Sequence, residues 1–342
     1  MIKALRSLPD VLARLAEAAT ERDASHPGGH EVPAVAIALA AEGQVAWAGA
    51  WGHAHVDTGE PVTDATLFEA ASLSKPVFAA AVLRLAESGA LDLDAPLASL
   101  LDEPIVPDDP RSATITARMA LSHSTGLQNW LWAPDERPKL SFDPGEGFGY
   151  SSLAFQFLQR AIERSAGEDV ESLTRRLVLD PLGMPNSTFV WGDRCAAICA
   201  TGHDAAGQPV EKWHPAEPLA CASLHTTATD YARFLAALTA TCDSGVLGRG
   251  LVDRMLAPQA PLGERLAWGL GWGLQECGRG DLFWHWGDNG CFKAVAVGSR
   301  SERLAVVTLT NGANGLMIGE RVACTVLGDD QPAFNWLHDF YA

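Results

Sequence analysis

The chain has 342 residues, 47% of them apolar, which suits one large globular domain or two closely packed ones with ample core. Its 25 basic and 42 acidic side chains leave a net charge of −17, which argues against nucleic acid and anionic membrane surfaces as partners.

The opening stretch, Met1-Ile2-Lys3-Ala4-Leu5-Arg6, has no apolar h-region and no small-residue cleavage site. Leu8, Val11, Leu12 and Leu15 recur at helical spacing, so an amphipathic helix is expected there in place of a signal peptide. No apolar run approaches the length of a membrane span, and a cytoplasmic location is expected. Val32 to Ala40 and Gln44 to Val56, joined by Ala41-Glu42-Gly43, read as a hairpin.

Ser72-Leu73-Ser74-Lys75 opens the most informative segment. Val77 to Ala86 is apolar except for Arg84, which predicts a buried helix, with Pro76 in its first turn and Gly89 just past its end. A serine three residues before a lysine shares its helix face. An ammonium beside a hydroxyl lowers the cost of removing the hydroxyl proton, or serves as base once its own proton is gone. Free N–H groups at the helix start favour developing negative charge near Ser72. The plain alternative is a capping serine and a solvated lysine.

Residues 90 to 220 mix Pro-rich loops with helices expected at Thr116–Leu121, Ser151–Ser165 and Val170–Leu179. Tyr150 stands between a loop rich in turn residues, Asp143 to Gly149, and the Ser151 helix, a junction from which a tyrosine can project into a cleft. Thr229 to Ala240 reads as a helix with Tyr231, Phe234, Leu235 and Leu238 on one face. Strands are expected at Ala267–Gln275, Leu282–Trp286, Phe292–Gly298 and Leu304–Thr310, then a helix at Gly315–Leu327 and a short last one. Strands joined by such short connections must be antiparallel. The economical architecture is an α+β fold, with an antiparallel sheet built from both chain ends, flanked by helices, and an inserted helical region. On that reading residues 1–88 and 225–342 make the sheet domain and 89–224 the helical one, with an active site between them.

Seven cysteines are scattered from Cys195 to Cys324. Cys195, Cys199 and His203 share a helix-like spacing, but no second Cys pair and no His-Glu-x-x-His follows, so no metal is expected and the thiols should be reduced. His285-Trp286-Gly287 ends one strand and Asp288-Asn289-Gly290 turns into the next. A backbone N–H there can hold an oxyanion, and Gly287 permits close approach of a ligand to the main chain.

These pieces together resemble the serine β-lactamase-like and penicillin-binding-protein-like hydrolases, in the branch of class C β-lactamases, D-stereospecific peptidases and family VIII carboxylesterases. The branch carries Ser-x-x-Lys, then Tyr-x-Asn, then Lys-Thr-Gly or His-x-Gly. Here these become Ser72 with Lys75, then Tyr150-Ser151-Ser152, then His285-Trp286-Gly287, in the same order. Ile115 to Leu127, Pro181 to Met184 and Thr226 to Leu235 look like the family too, and the likeness covers about residues 30 to 315. Neither Gly-x-Ser-x-Gly nor Ser-Asp-Asn is present, against an α/β-hydrolase and a class A β-lactamase.

The resemblance implies acyl transfer through an ester on Ser72, with Lys75 and Tyr150 sharing the proton work and the N–H groups of Ser72 and Asp288 holding the oxyanion. His285, Trp286, Gly287 and Ser152 would border the substrate. Ser152 replaces an amide and His285 replaces the lysine of β-lactamases, which weakens recognition of a substrate carboxylate and costs uncharged esters nothing. The expected activity is that of a carboxylesterase on small or hydrophobic esters, without cofactor. A D-stereospecific peptidase or amidase, or a weak β-lactamase, is the alternative, and a penicillin-binding protein that acylates without turnover is the non-enzymatic one. Of eleven tryptophans, Trp130, Trp132, Trp213, Trp272, Trp284 and Trp286 fall in segments expected near the cleft, where they would either line an aromatic pocket or pack the core.

Overall fold

The computed structural model describes residues 2–21, 31–133, 135–240, 245–278 and 280–342. Met1 and Cys242 lie outside the described residues, as do the side chains of residues 2–6. Among the described residues no helix is long and apolar enough to cross a membrane.

Helix α1 (Ile2–Thr20) lays Leu12, Ala16 and Ala19 on the sheet. Strands β1 (Ala34–Ala41) and β2 (Gln44–His55) then form the expected hairpin. Its two-residue turn holds Glu42 at φ 55° and Gly43 at φ 77°, the double left-handed backbone of a type I′ turn. Short strands β3 (Glu60–Pro61) and β4 (Phe68–Glu69) lead to α2 (Ser74–Glu87). The middle of the chain supplies α3 (Ala117–Leu121), α4 (Ser152–Ala166), α5 (Val170–Thr174), α6 (Asp193–Ile198) and three two-residue strands. Those are β5 (Gly202–His203), β6 (Pro209–Val210) and β7 (His225–Thr226). Helices α7 (Ala228–Thr239) and α8 (Arg249–Met255) follow.

The remaining strands are β8 (Ala260–Gly263), β9 (Leu266–Trp268), β10 (Gly273–Cys277), β11 (Gly280–Asp288), β12 (Lys293–Ser299) and β13 (Leu304–Thr310). Helices α9 (Gly315–Leu327) and α10 (Pro332–Tyr341) close the fold. Nine strands make one antiparallel sheet in the order β3-β2-β1-β13-β12-β11-β10-β9-β8, so β1 pairs with β13 and the two ends of the chain meet in the middle of the sheet.

The period of two in β1 sorts its faces. Ala34, Ala36, Ala38 and Ala40 face the core shared with α2 and α7, where methyl-sized side chains let a helix approach closely. Val35, Ile37 and Leu39 face the second core, beneath α1 and α9. The first core runs on without a break into α3, α4 and α5, so sheet and inserted helices share one apolar interior. Helix α2 is buried from Ser74 to Leu83 within it.

Two expectations are corrected. Ala267–Gln275 is two strands, because Gly269 and Gly271 turn the chain between them. A Cβ on Gly269 would meet the Met255 carbonyl at 2.5 Å, and Gly271 adopts φ 90° where a Cβ would meet Ala79 of α2 at 2.6 Å. The helical spacing of Cys195, Cys199 and His203 is not realised either: α6 ends at Ile198 and His203 lies on β5. Among the described residues no group of three His, Cys, Asp or Glu could hold a metal ion.

Candidate active site

Ser72 lies in a tight 3-10 turn, Ala71–Leu73, that runs straight into α2. The turn is pinned from the side. Ala70 N–H donates to the Leu224 carbonyl at 2.8 Å, the Ser74 hydroxyl accepts from Leu224 N–H at 3.0 Å, and the Tyr231 hydroxyl donates to the Leu73 carbonyl at 3.0 Å. Ala71 takes φ 49°, a strained value for a residue with a Cβ. One turn further on, Lys75 Nζ reaches back to Ser72 Oγ at 2.9 Å and also donates to the Cys221 carbonyl at 3.0 Å. Lys75 is fully buried, and burial lowers its pKa from 10.5 to about 8. The capping-serine alternative therefore fails: neither Ser72 nor Leu73 caps α2 through a side chain, and the lysine is not solvated.

Tyr150 is held by its neighbours in sequence. Ser151 caps α4, accepting Ala154 N–H at 3.0 Å, and its hydroxyl donates to the Gln128 carbonyl at 2.8 Å. His123, unnoticed in the sequence, brackets the tyrosine: its carbonyl accepts Gly149 N–H at 2.8 Å and its Nδ1 accepts Ser151 N–H at 3.0 Å. The imidazole lies on the phenol at 4.3 Å between centroids. The phenol ring in turn lies 4.8 Å from Lys75 Nζ. Among the described residues the buried Tyr150 hydroxyl has no hydrogen-bond partner, and burial raises its pKa well above 10, opposed by the nearby Ser72 hydroxyl. It is a neutral phenol at physiological pH.

The bracket gives a prediction. His123 sits at φ 55°, which asparagine tolerates better than any other side chain with a Cβ, and Asn Oδ1 can stand in for Nδ1. His123→Leu, which leaves Ser151 N–H unpaired, is expected to cost about 2 kcal/mol in denaturant unfolding, and His123→Asn about half that or less. Equal losses in both variants would show that the bracket plays no part.

The end of β11 completes the cluster. A Cβ on Gly287 would meet the Ala70 carbonyl at 2.3 Å and lie 3.2 Å from Ser72 N, so only glycine lets the strand lie against the Ser72 turn. Gly287→Ala must push strand and turn apart by several tenths of an ångström or more. Misplacement on the scale of 1 Å costs about 100-fold in rate. A variant with unchanged activity would contradict that coupling.

His285 Nδ1 donates to the Trp286 carbonyl at 2.6 Å, which leaves Nε2 as a bare acceptor, buried and without a partner among the described residues. Burial, and then the charge of Lys75, lower its pKa to about 3, so it is neutral. Asp288 accepts Gly290 N–H at 2.7 Å and pairs with Lys293. Asn289 donates to Glu69 at 2.6 Å, and Glu69 pairs with Lys212 at 2.7 Å, which ties the β11–β12 turn to β4. Pairing with β10 ends at Trp284, so residues 285–288 have strand pairing on the β12 side alone.

The structure thus brings Ser72, Lys75, Tyr150, His285 and Gly287 together. Ser152 lies beside them as the first residue of α4, its N–H on Asn129 Oδ1 at 2.9 Å, while the hydrogen bonds of Lys75 bypass it. Trp286 packs on Tyr150 at 4.8 Å. Trp272 and Trp284 are buried core, Trp130 flanks Asn129, and Trp132 and Trp213 are exposed. Trp268, absent from the expected set, fills the space between His123, Tyr150 and His285 at 5.1, 5.9 and 5.3 Å. The sequence held one hint of His123, its place in the family-like stretch before Leu127, and none of Trp268.

Comparison with known proteins gives the family and the fold. The family described as Beta-lactamase matches residues 12–323. Esterase EstB of Burkholderia gladioli is 32% identical over 295 residues, 71% of this chain and 74% of that protein. Among solved structures, SurE superposes with a TM-score of 0.79 at 26% identity, covering 96% of this chain and 78% of that one. EstCE1, described as a hydrolase with promiscuous acyltransferase activity, gives 0.79 at 22% identity over 94% of this chain and 100% of that one.

Proposed function

Since this chain belongs to the β-lactamase family of hydrolases, with a matching fold, we propose that it is a carboxylesterase that works through an acyl-enzyme on Ser72. The observation that carries the reading is the 2.9 Å contact between Ser72 Oγ and a lysine amine stripped of solvent. At a pKa of about 8, an appreciable fraction of Lys75 is neutral at physiological pH and can accept the Ser72 proton as Oγ attacks the ester carbonyl. The carbonyl oxygen becomes an oxyanion held by the N–H groups of Ser72 and Asp288. Tyr150, protonated at rest, gives its proton to the leaving alkoxide and is reprotonated from Lys75. Water then attacks the acyl ester with the same groups acting in reverse.

The substrate reading rests on His285. Its neutral ring offers no cation to a substrate carboxylate, and burial keeps it so across the working pH range. Uncharged esters are therefore favoured over β-lactams and over peptides with a free carboxylate. EstB, an esterase, supports the same choice.

One panel tests this. Purified protein is offered p-nitrophenyl acetate and butyrate, a chromogenic cephalosporin and a D-alanine anilide, with mass spectrometry of Ser72. Rapid ester release with little of the others is expected; efficient cephalosporin hydrolysis overturns the ranking, and a persistent adduct without release favours an acyl-trapping protein. The pH profile is a second check. With Lys75 as base, kcat/KM should rise as pH increases through about 8 and level off above it. A rate that falls across that range contradicts the assignment.

A further inference from the structure

Helix α10 reaches Tyr150 and Trp286, and the chemistry described so far does not use it. Its start is pinned: Ala333 N–H donates to Gln275 Oε1 at 2.9 Å, and Gln275 Nε2 donates to Gln331 Oε1 at 2.5 Å. Ala333, Phe334 and Leu337 are buried in the core beneath the sheet, and His338 pairs with Glu320 of α9 at 2.9 Å. The helix is therefore anchored along its length, and its last turn is delivered to one place.

That place is the unpaired edge of β11. Phe340 lies 5.9 Å from the Tyr150 ring and 5.4 Å from Trp286. The Tyr341 hydroxyl accepts Trp286 Nε1–H at 2.9 Å. Trp286 is covered, but Phe340 and Tyr341 remain 41% and 49% exposed. Two large aromatic side chains, fixed in position and half open to solvent beside the general acid, form a surface that gains by being covered.

We propose that Phe340 and Tyr341 form the wall against which the alcohol half of the ester lies, so that the site selects esters of aromatic or bulky apolar alcohols. The assignment to the alcohol, and not the acyl group, rests on the proposed reading of Tyr150. The group that protonates the leaving oxygen must stand next to it, and Phe340 touches that same ring.

Benzyl acetate and methyl phenylacetate are constitutional isomers that carry the phenyl group on opposite sides of the ester. The wild-type enzyme should favour benzyl acetate in kcat/KM. Phe340→Ala, and separately Tyr341→Ala, should reduce that preference by about tenfold, mainly through KM, as expected for lost apolar contact. Phe340→Leu, which keeps an apolar side chain on the Trp286 surface, should reduce it by less. Thermal melts report whether α10 has detached. Equal losses on both isomers, losses confined to methyl phenylacetate, or no change in the preference would overturn the proposal. A wild-type protein that hydrolyses neither isomer nor p-nitrophenyl acetate fails as an esterase instead. Benzyl alcohol binding, read by tryptophan fluorescence in the wild type and Phe340→Ala, then still decides whether the wall exists: equal affinity in both would dismiss it.

Discussion

Ser72→Ala is expected to remove ester hydrolysis, lowering kcat by at least about four orders of magnitude while the fold stays intact. The size follows from what is lost. In a nucleophile–base unit the members act together, and deleting the nucleophile costs about as much as deleting the whole unit. What survives is binding and the oxyanion donors, worth only a modest rate over water. The structural cost is small because Lys75, which donates to the Ser72 hydroxyl, keeps its bond to the Cys221 carbonyl. The α2 start is held by Ser74, Leu73 and Ala70, none of which changes. The melting temperature should stay within a few degrees of wild type, a shift of about 1 kcal/mol or less. Mass spectrometry after incubation with p-nitrophenyl acetate should show an acyl adduct on the wild-type protein and none on the variant. Near-wild-type turnover by the variant would end the acyl-enzyme reading.

Much of this site was legible because its signals are local. An apolar run after Ser-x-x-Lys can hardly be anything but a buried helix, and burial is what lowers the lysine pKa to about 8. Tyr150 was legible as the one tyrosine at a loop–helix junction, and the sheet through the short connections that force antiparallel pairing. What stayed hidden depends on long-range packing. His123 reads as an unremarkable loop residue until the Asp143–Gly149 loop folds back over it. Ala267–Gln275 reads as one strand, and only the close approach of Gly271 to Ala79 shows why the chain must turn there. Helix α10 was expected, but nothing in its composition says that its last turn would meet Tyr150 and Trp286. That contact joins residues nearly two hundred positions apart through the register of a nine-stranded sheet.

Lys75→Met should separate function from stability. Activity should fall by about a thousandfold or more, since a positioned base contributes roughly 10²–10⁴. Stability should rise at neutral pH. The folded-state pKa of Lys75 is about 8, against 10.5 unfolded, so below pH 8 the folded state holds a charge that burial disfavours. That penalty is about 3 kcal/mol by linkage. It is fully present below the folded value, shrinks as pH rises from about 8 to 10.5 because the unfolded chain then binds more protons, and is gone above. Methionine matches the volume and carries no charge. Against the gain stand the hydrogen bonds lost to Ser72 Oγ and the Cys221 carbonyl, together about 1–2 kcal/mol. The net expectation is a variant about 1–2 kcal/mol more stable than wild type at pH 6.5, with the advantage vanishing near pH 9 and reversing above it. Urea unfolding of both proteins across that range measures it. A variant that is less stable at pH 6.5, or equally more stable at pH 6.5 and pH 10, would show that Lys75 is not held against its own desolvation. The lowered amine pKa on which the proposed base rests would then have no support.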